Sequence, residues 1–194
     1  MLGFFPKKVA PRTEWFKNTV VHDICSVSDC ISKGPENWID KWKHNTTTWM
    51  FDNPESARSV LELTDAGFTV FAYRVFPILF DGEKTQPWDV SPAASCDLSE
   101  FEFLGYDIVS RYGGTNFSCS PLSCNNGCET IPVNEHCLID ELETGWETAK
   151  RIAAESNANG TWEPGPYCLV EVWRERSGGE QAARTLQRPV GGAR

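Results

Sequence analysis

Phe68-Thr-Val-Phe-Ala-Tyr-Arg-Val-Phe-Pro-Ile-Leu-Phe80 is the stretch that decides the reading of the fold. β-Branched and aromatic side chains dominate it, as a pleated, packed surface prefers. Its apolar pattern is nearly continuous, which predicts a strand buried on both faces. Arg74 interrupts it, and it falls short of the roughly 18 apolar residues that a membrane helix needs. Pro77 has no amide donor, so the last part of the strand is expected at an edge or a bulge. Asp81-Gly82 then marks a turn.

Upstream lies the clearest helix signal. Asn53 suits an N-cap, and Pro54 suits the first helical position. Ala57, Val60, Leu61 and Leu63-Thr64 form a stripe at helical spacing, and Gly67 is placed to end the helix. Before that, Gly34-Pro35 predicts a short helix carrying Trp38, Ile39 and Trp42 on one face, and Thr47 to Phe51 reads as a strand. Thr19 to Cys25 reads as another strand. Residues 1–14 are expected to be an extended lead-in, with Pro6 and Pro11 blocking regular structure.

Downstream, residues 82–96 read as a loop, and a strand is expected over Leu104 to Arg111. Residues 113–133 form a long segment rich in Cys, Ser, Asn, Pro and Gly, of a length that in a compact domain usually serves a function. Asp140 to Ser156 predicts a second helix, with Asp140 and Glu143 resembling a capping box. Leu142, Trp146, Ala149, Ile152 and Ala153 supply its apolar face. Tyr167 to Trp173 is a further strand. Strands and helices follow one another without a βαβ rhythm. The fold class is therefore α+β: a small antiparallel or mixed sheet packed by two main helices, with a long Cys-rich loop. One domain is expected over residues 15–176, followed by a disordered, mildly basic tail at 177–194.

The 194 residues carry eight Trp and eleven Phe, enough large apolar side chains for a core without covalent staples. The net charge of −9 argues against a general nucleic-acid binder, because phosphate contacts need a basic face. The acids are concentrated. Residues 96–147 hold Arg111 alone against ten Asp and Glu. Such a surface gives solubility, and it also attracts a basic partner.

Eight cysteines are present, four of them in Cys119-Ser-Pro-Leu-Ser-Cys124-Asn-Asn-Gly-Cys128 and the following His136-Cys137. The first residues show no export-signal pattern, so the expected address is cytoplasmic and the expected thiols are reduced. Cys25-Ser-Val-Ser-Asp-Cys30 echoes Cys119-Ser-Pro-Leu-Ser-Cys124 with the same four-residue gap. Brought together, the two loops would offer Cys25, Cys30, Cys119 and Cys124 to a tetrahedral zinc ion. The gap is longer than the two residues of a zinc knuckle, and small buried thiols explain the same pattern without a metal. A set of Cys119, Cys124, Cys128 and Cys137 or His136 is an alternative.

Cys119 or Cys124 as a nucleophile needs a base, and His22 is the histidine available across the fold. Carboxylates are too numerous to mark an acid–base pair. Glu102, Asp107 and Glu171 are notable because an inward-facing carboxylate in a strand is unusual. No phosphate loop, Gly-x-Ser-x-Gly elbow or His-Glu-x-x-His pair occurs. Trp38, Trp42 and Trp49 fit a core stripe better than a recognition platform.

Three functions follow as expectations. The first is an acidic binding protein that recognises a basic protein, such as an inhibitor or immunity-type partner, through Glu141, Glu143 and Glu147. The second is a small enzyme using a cysteine of the Cys119–Cys128 loop. The third is a structural zinc module. No other cofactor and no membrane partner is expected.

Overall fold

The computed structural model describes residues 2–35, 50–61, 67–89, 96–112, 117, 119–160 and 162–176. A five-stranded antiparallel sheet organises them. Strand β4 (Phe68–Asp81) lies between β1 (Leu2–Lys8) and β7 (Tyr167–Glu175), and β6 (Phe101–Ser110) lies beyond β7. The short β5 (Lys84–Pro87) folds back on the end of β4. Val70 to Tyr73 are four consecutive buried residues, as the continuous apolar run demands. The pairing of β4 with β7 slips between Val75 and Leu79, across Pro77. The expected bulge is therefore present, and the Pro77 carbonyl accepts the Trp88 amide at 2.9 Å.

The lead-in expected over residues 1–14 is in fact structured: β1 pairs with β4 from Leu2↔Arg74 to Lys8↔Phe68, with Pro6 opposite Val70. Two physical reasons override the prolines. An edge strand has a neighbour on one side only, so it tolerates a residue without a donor. Phe4 and Phe5 also bury their rings, one on each face of the sheet. Pro11 likewise lies in a two-residue strand, β2 (Ala10–Pro11), which pairs with β3 (Asp23–Ile24). β3 is all that forms of the strand expected over Thr19 to Cys25. The loop expected from residue 82 contains β5, since the turn after Asp81 closes a hairpin. Phe51 bridges to Phe4. The helix expected around Trp38, the end of the stripe at Leu63-Thr64, and the tail at 177–194 lie outside the described residues.

Helix α1 (Pro54–Leu61) begins where predicted, with the Asn53 side chain accepting the Ser56 amide at 2.8 Å. Helix α2 (Leu142–Asn159) begins differently. Asp140 makes no capping box, because its carboxylate accepts the Asn134 amide group at 2.7 Å. Glu141 occupies the cap position without a side-chain bond. Leu142 is 37% exposed, and the buried stripe starts at Gly145 and continues through Thr148, Ala149, Ile152 and Ala153. Gly160 ends the helix in the left-handed region at φ 62°, its amide bonded to the Ser156 carbonyl. No helix among the described residues is long and apolar enough to cross a membrane.

Register assigns the faces, because paired residues of an antiparallel sheet share one. Ile108 and Leu169 lie on one face, where Trp146 of α2 meets the rings of Phe76 and Phe80 at 5.3 and 5.2 Å. Asp107, Val170 and Val75 share the opposite face. The outer edge of β6 is closed by residues 134–139, with Tyr106 and Ile139 exchanging backbone bonds. Gly105 permits that approach: its φ is 139°, and a Cβ there would stand 2.8 Å from Leu138 Cβ.

Candidate metal centre

The face bearing Asp107 is covered by two Cys-containing segments. The first, residues 24–32, is built by its serines. The Ser26 hydroxyl accepts the Ser28 amide at 3.1 Å, and the Ser28 hydroxyl accepts the Cys30 amide at 3.2 Å. Each is a short side-chain turn that replaces a missing ladder bond. Ser32 Oγ closes the loop, donating to the Ile24 carbonyl at 2.6 Å and accepting the Ser26 amide at 3.2 Å.

The second segment, residues 119–128, coils in helical turns. The amides of Cys124, Gly127 and Cys128 bond the carbonyls of Ser120, Pro121 and Leu122. Gly127 is required there, since a Cβ would approach the Pro121 carbonyl oxygen to 2.6 Å. Leu122 is fully buried and pins the coil into the core. The Cys119 carbonyl accepts the Ser110 amide at 2.8 Å, which fastens the coil to the end of β6.

Asp107 joins the two segments. It is fully buried, and its carboxylate accepts Ser26 Oγ at 2.8 Å, the Val27 amide at 3.0 Å and Ser120 Oγ at 2.6 Å. Burial pushes its carboxyl up to about 6, against the pull of these three donors. Lys7 of β1 is buried beside the same loop. Its ammonium donates to the Val27 carbonyl at 2.6 Å and pairs with Asp29 at 2.9 Å. Burial holds Lys7 below the ordinary lysine range.

Above this polar floor, the sulfurs of Cys30, Cys119 and Cys124 lie within 4.8 Å of one another. Cys30 Sγ stands 3.9 Å from Cys119 Sγ. Two sulfurs on a tetrahedral zinc with bonds of about 2.3 Å stand about 3.8 Å apart. The three-cysteine cluster can therefore hold a zinc-like ion, and its soft donors suit one. Cys124 is the preferred thiolate. It accepts the Cys119 thiol and contacts Ser28 Oγ at 3.6 Å, which places it below the ordinary thiol range and Cys119 above it.

Three of the four thiols singled out for zinc thus converge, from loops 89 residues apart. Cys25 does not join them. It sits in the core, where burial pushes its thiol up to about 12. It packs in the same core cluster as Val75, Val170 and Val172. Cys128 and Cys137 are buried away from the trio and influence each other, Cys137 lowering the Cys128 thiol. His22 is exposed, with its backbone amide on the Glu135 carbonyl, and it is not part of the cluster. His136 is adjacent to Cys137 but pairs loosely with Asp23 and Glu135, and burial lowers its pKa.

Of the strand carboxylates marked as unusual, only Asp107 is fully buried. Glu102 meets Arg174 at 3.3 Å and Glu171 meets Arg74 at 2.9 Å. Glu141, Glu143 and Glu147 are exposed, and Glu147 pairs with Lys150 at 2.7 Å. Lys7 gave no signal in the sequence, because Lys7-Lys8 reads as a solvated pair and only the pairing of β1 turns Lys7 inward.

Comparison of the chain with protein-family models, with curated proteins and with solved structures found no match.

Proposed function

We propose that this chain is a metal-binding protein in which Cys30, Cys119 and Cys124 hold one zinc ion that ties residues 24–32 to residues 119–128 over Asp107. The convergence of three sulfurs from two distant loops carries this reading. The core is large and apolar without the ion, so zinc orders the two loops rather than folding the chain. A cysteine enzyme is supported less well. The lowered thiol of Cys124 owes its state to Cys119 and Ser28, and among the described residues no histidine stands in the cluster as a base. Reduced, metal-free protein is expected to take up one zinc per chain, and the Cys124→Ser variant to lose it. Melting should rise by several degrees with zinc and fall back with a chelator. Failure of the reduced wild type to retain zinc on dialysis would remove this reading.

Recognition of a basic protein is a second reading, supported by four consecutive exposed residues at the start of α2, Glu141 to Thr144, with Leu142 among the acids. An acidic rim with an apolar centre suits a cationic surface. Binding to such a protein should weaken as salt is added. It should vanish in the triple variant Glu141→Lys, Glu143→Lys, Glu147→Lys, and undiminished binding by that variant would count against the surface.

A further inference from the structure

We infer that the metal held by Cys30, Cys119 and Cys124 has an open fourth position that takes an exchangeable neutral donor, with unhindered nitrogen bases of the imidazole type as the class it accepts. This inference rests on the metal reading above and specifies what that site binds.

Three observations carry it. First, the cluster contains three ligands. Among the described residues no fourth His, Cys, Asp or Glu donor lies within the same 4.8 Å. Zinc with three protein ligands keeps a fourth position for solvent or substrate. Second, that position has a route to solvent. Cys30 is exposed, whereas Cys119 is buried and Cys124 half-buried. The nearby neutral oxygens are the Asn125 amide, 3.6 Å from Cys119 Sγ, and the Ser28 hydroxyl, 3.6 Å from Cys124 Sγ. Amide and hydroxyl oxygens are poor zinc ligands beside thiolate and imidazole, so they leave the position available.

Third, charge selects a neutral ligand. Three thiolates outweigh a divalent ion by one negative charge. Lys7 attracts the Cys124 thiolate, but its ammonium is also paired with Asp29 at 2.9 Å, and that pair has no net charge to set against the excess. A fourth anion would leave two uncompensated negative charges beside the buried Asp107, which low-dielectric surroundings penalise. A neutral nitrogen base avoids that cost. It is also a common zinc ligand in its own right. The step is a plain exchange: one metal–water bond breaks, one metal–nitrogen bond forms, and the water leaves with no proton or electron transferred.

The test uses untagged, reduced, full-length protein loaded with cobalt in place of zinc, with imidazole and azide as probes. Cobalt in a three-sulfur tetrahedral site gives intense visible bands together with thiolate-to-metal charge-transfer bands. The expected result is a saturable shift of the visible bands with imidazole, and little or no shift with azide at equal concentration. The charge-transfer bands should persist throughout. Cobalt bands that imidazole leaves unmoved would show a position filled by the chain itself and overturn the inference while sparing the metal reading. Azide shifting the bands as readily as imidazole would overturn the choice of a neutral donor. Absence of thiolate charge-transfer bands would overturn the metal reading, and this inference with it.

Discussion

Asp107 and Ile108 are neighbours in one strand, yet they face two unlike interiors. Ile108 looks onto Leu169, Ala149 and Ile152 beneath α2, an interior of hydrocarbon and aromatic rings. Asp107 looks onto two serine hydroxyls and the Val27 amide, with Lys7 and Cys124 near enough to act on it electrostatically. The two-residue period of a strand makes this possible: one step along β6 crosses the sheet. On the Ile108 side packing is non-directional, and many apolar sequences would serve. On the Asp107 side each donor and acceptor must find its partner, so the loops have one arrangement. Both faces carry apolar core, since Val75, Val109, Val170 and Val172 share the face of Asp107, but that face adds the hydrogen bonds that position the cluster.

Replacing Asp107 by Ala should break that difference most severely. It strands Ser26 Oγ, the Val27 amide and Ser120 Oγ without their acceptor. The expected loss is about 4 kcal/mol in denaturant unfolding, with zinc uptake falling as well. A loss under about 1 kcal/mol would mean that the carboxylate is not the link between the loops.

On the other face, Ile108→Ala should cost about 3 kcal/mol through the cavity it leaves. Zinc stoichiometry should be unchanged in the part of the population that remains folded. Loss of zinc from folded Ile108→Ala protein would show that the two interiors are coupled.

The third expectation concerns pH. Burial raises the Asp107 carboxyl from 3.8 to about 6 in the folded chain. Between these values the unfolded chain has released the proton and the folded chain still holds it. The folded state therefore binds more protons, and stability falls as pH rises through this window. The contribution is fully present below about pH 4 and is lost by about pH 6, a change of about 2 to 3 kcal/mol. The Asp107→Asn variant should lack that slope. Matching pH profiles for the variant and the wild type, each fitted from denaturant curves, would contradict the assigned titration.

The smallest effect is on reactivity alone. Burial pushes Cys168 and Cys25 up to about 12, while Cys119 and Ser28 hold Cys124 low. In metal-free protein at neutral pH, iodoacetamide should label Cys124 about a hundredfold faster than Cys25 or Cys168, and zinc should suppress the difference. Peptide mapping of the label would read this directly, and equal rates at all three sites would erase the distinction between the cluster and the core around it.

Much of the secondary structure was legible because its signals are local. The run from Phe68 to Phe80 announces a buried strand with a fault at Pro77. Asn53-Pro54 announces the start of α1, whereas α2 runs three residues past the expected end at Ser156, to Asn159. Signals failed where a distant partner outbid a local preference. Pro6 lies in a strand because β4 offers a ladder to an edge, and Asp140 does not cap α2 because Asn134 holds its carboxylate. In the cluster, the repeated four-residue gap marked the two loops that the structure brings together. It also included Cys25, since spacing records which thiols share a loop and not which way each side chain points.

Local signals sufficed for the α+β class, the main strands and helices, the two Cys loops and the oddity of an acid within a strand. Each depends on the spacing or type of neighbouring residues, which the chain carries into any environment. The packed sheet was needed to show that Lys7 turns inward, that Asp107 binds both loops, and that Cys25 stays outside the trio of Cys30, Cys119 and Cys124. These outcomes depend on which face of a paired strand a residue occupies. One register slip would reverse every such choice, and register is set by the whole sheet at once.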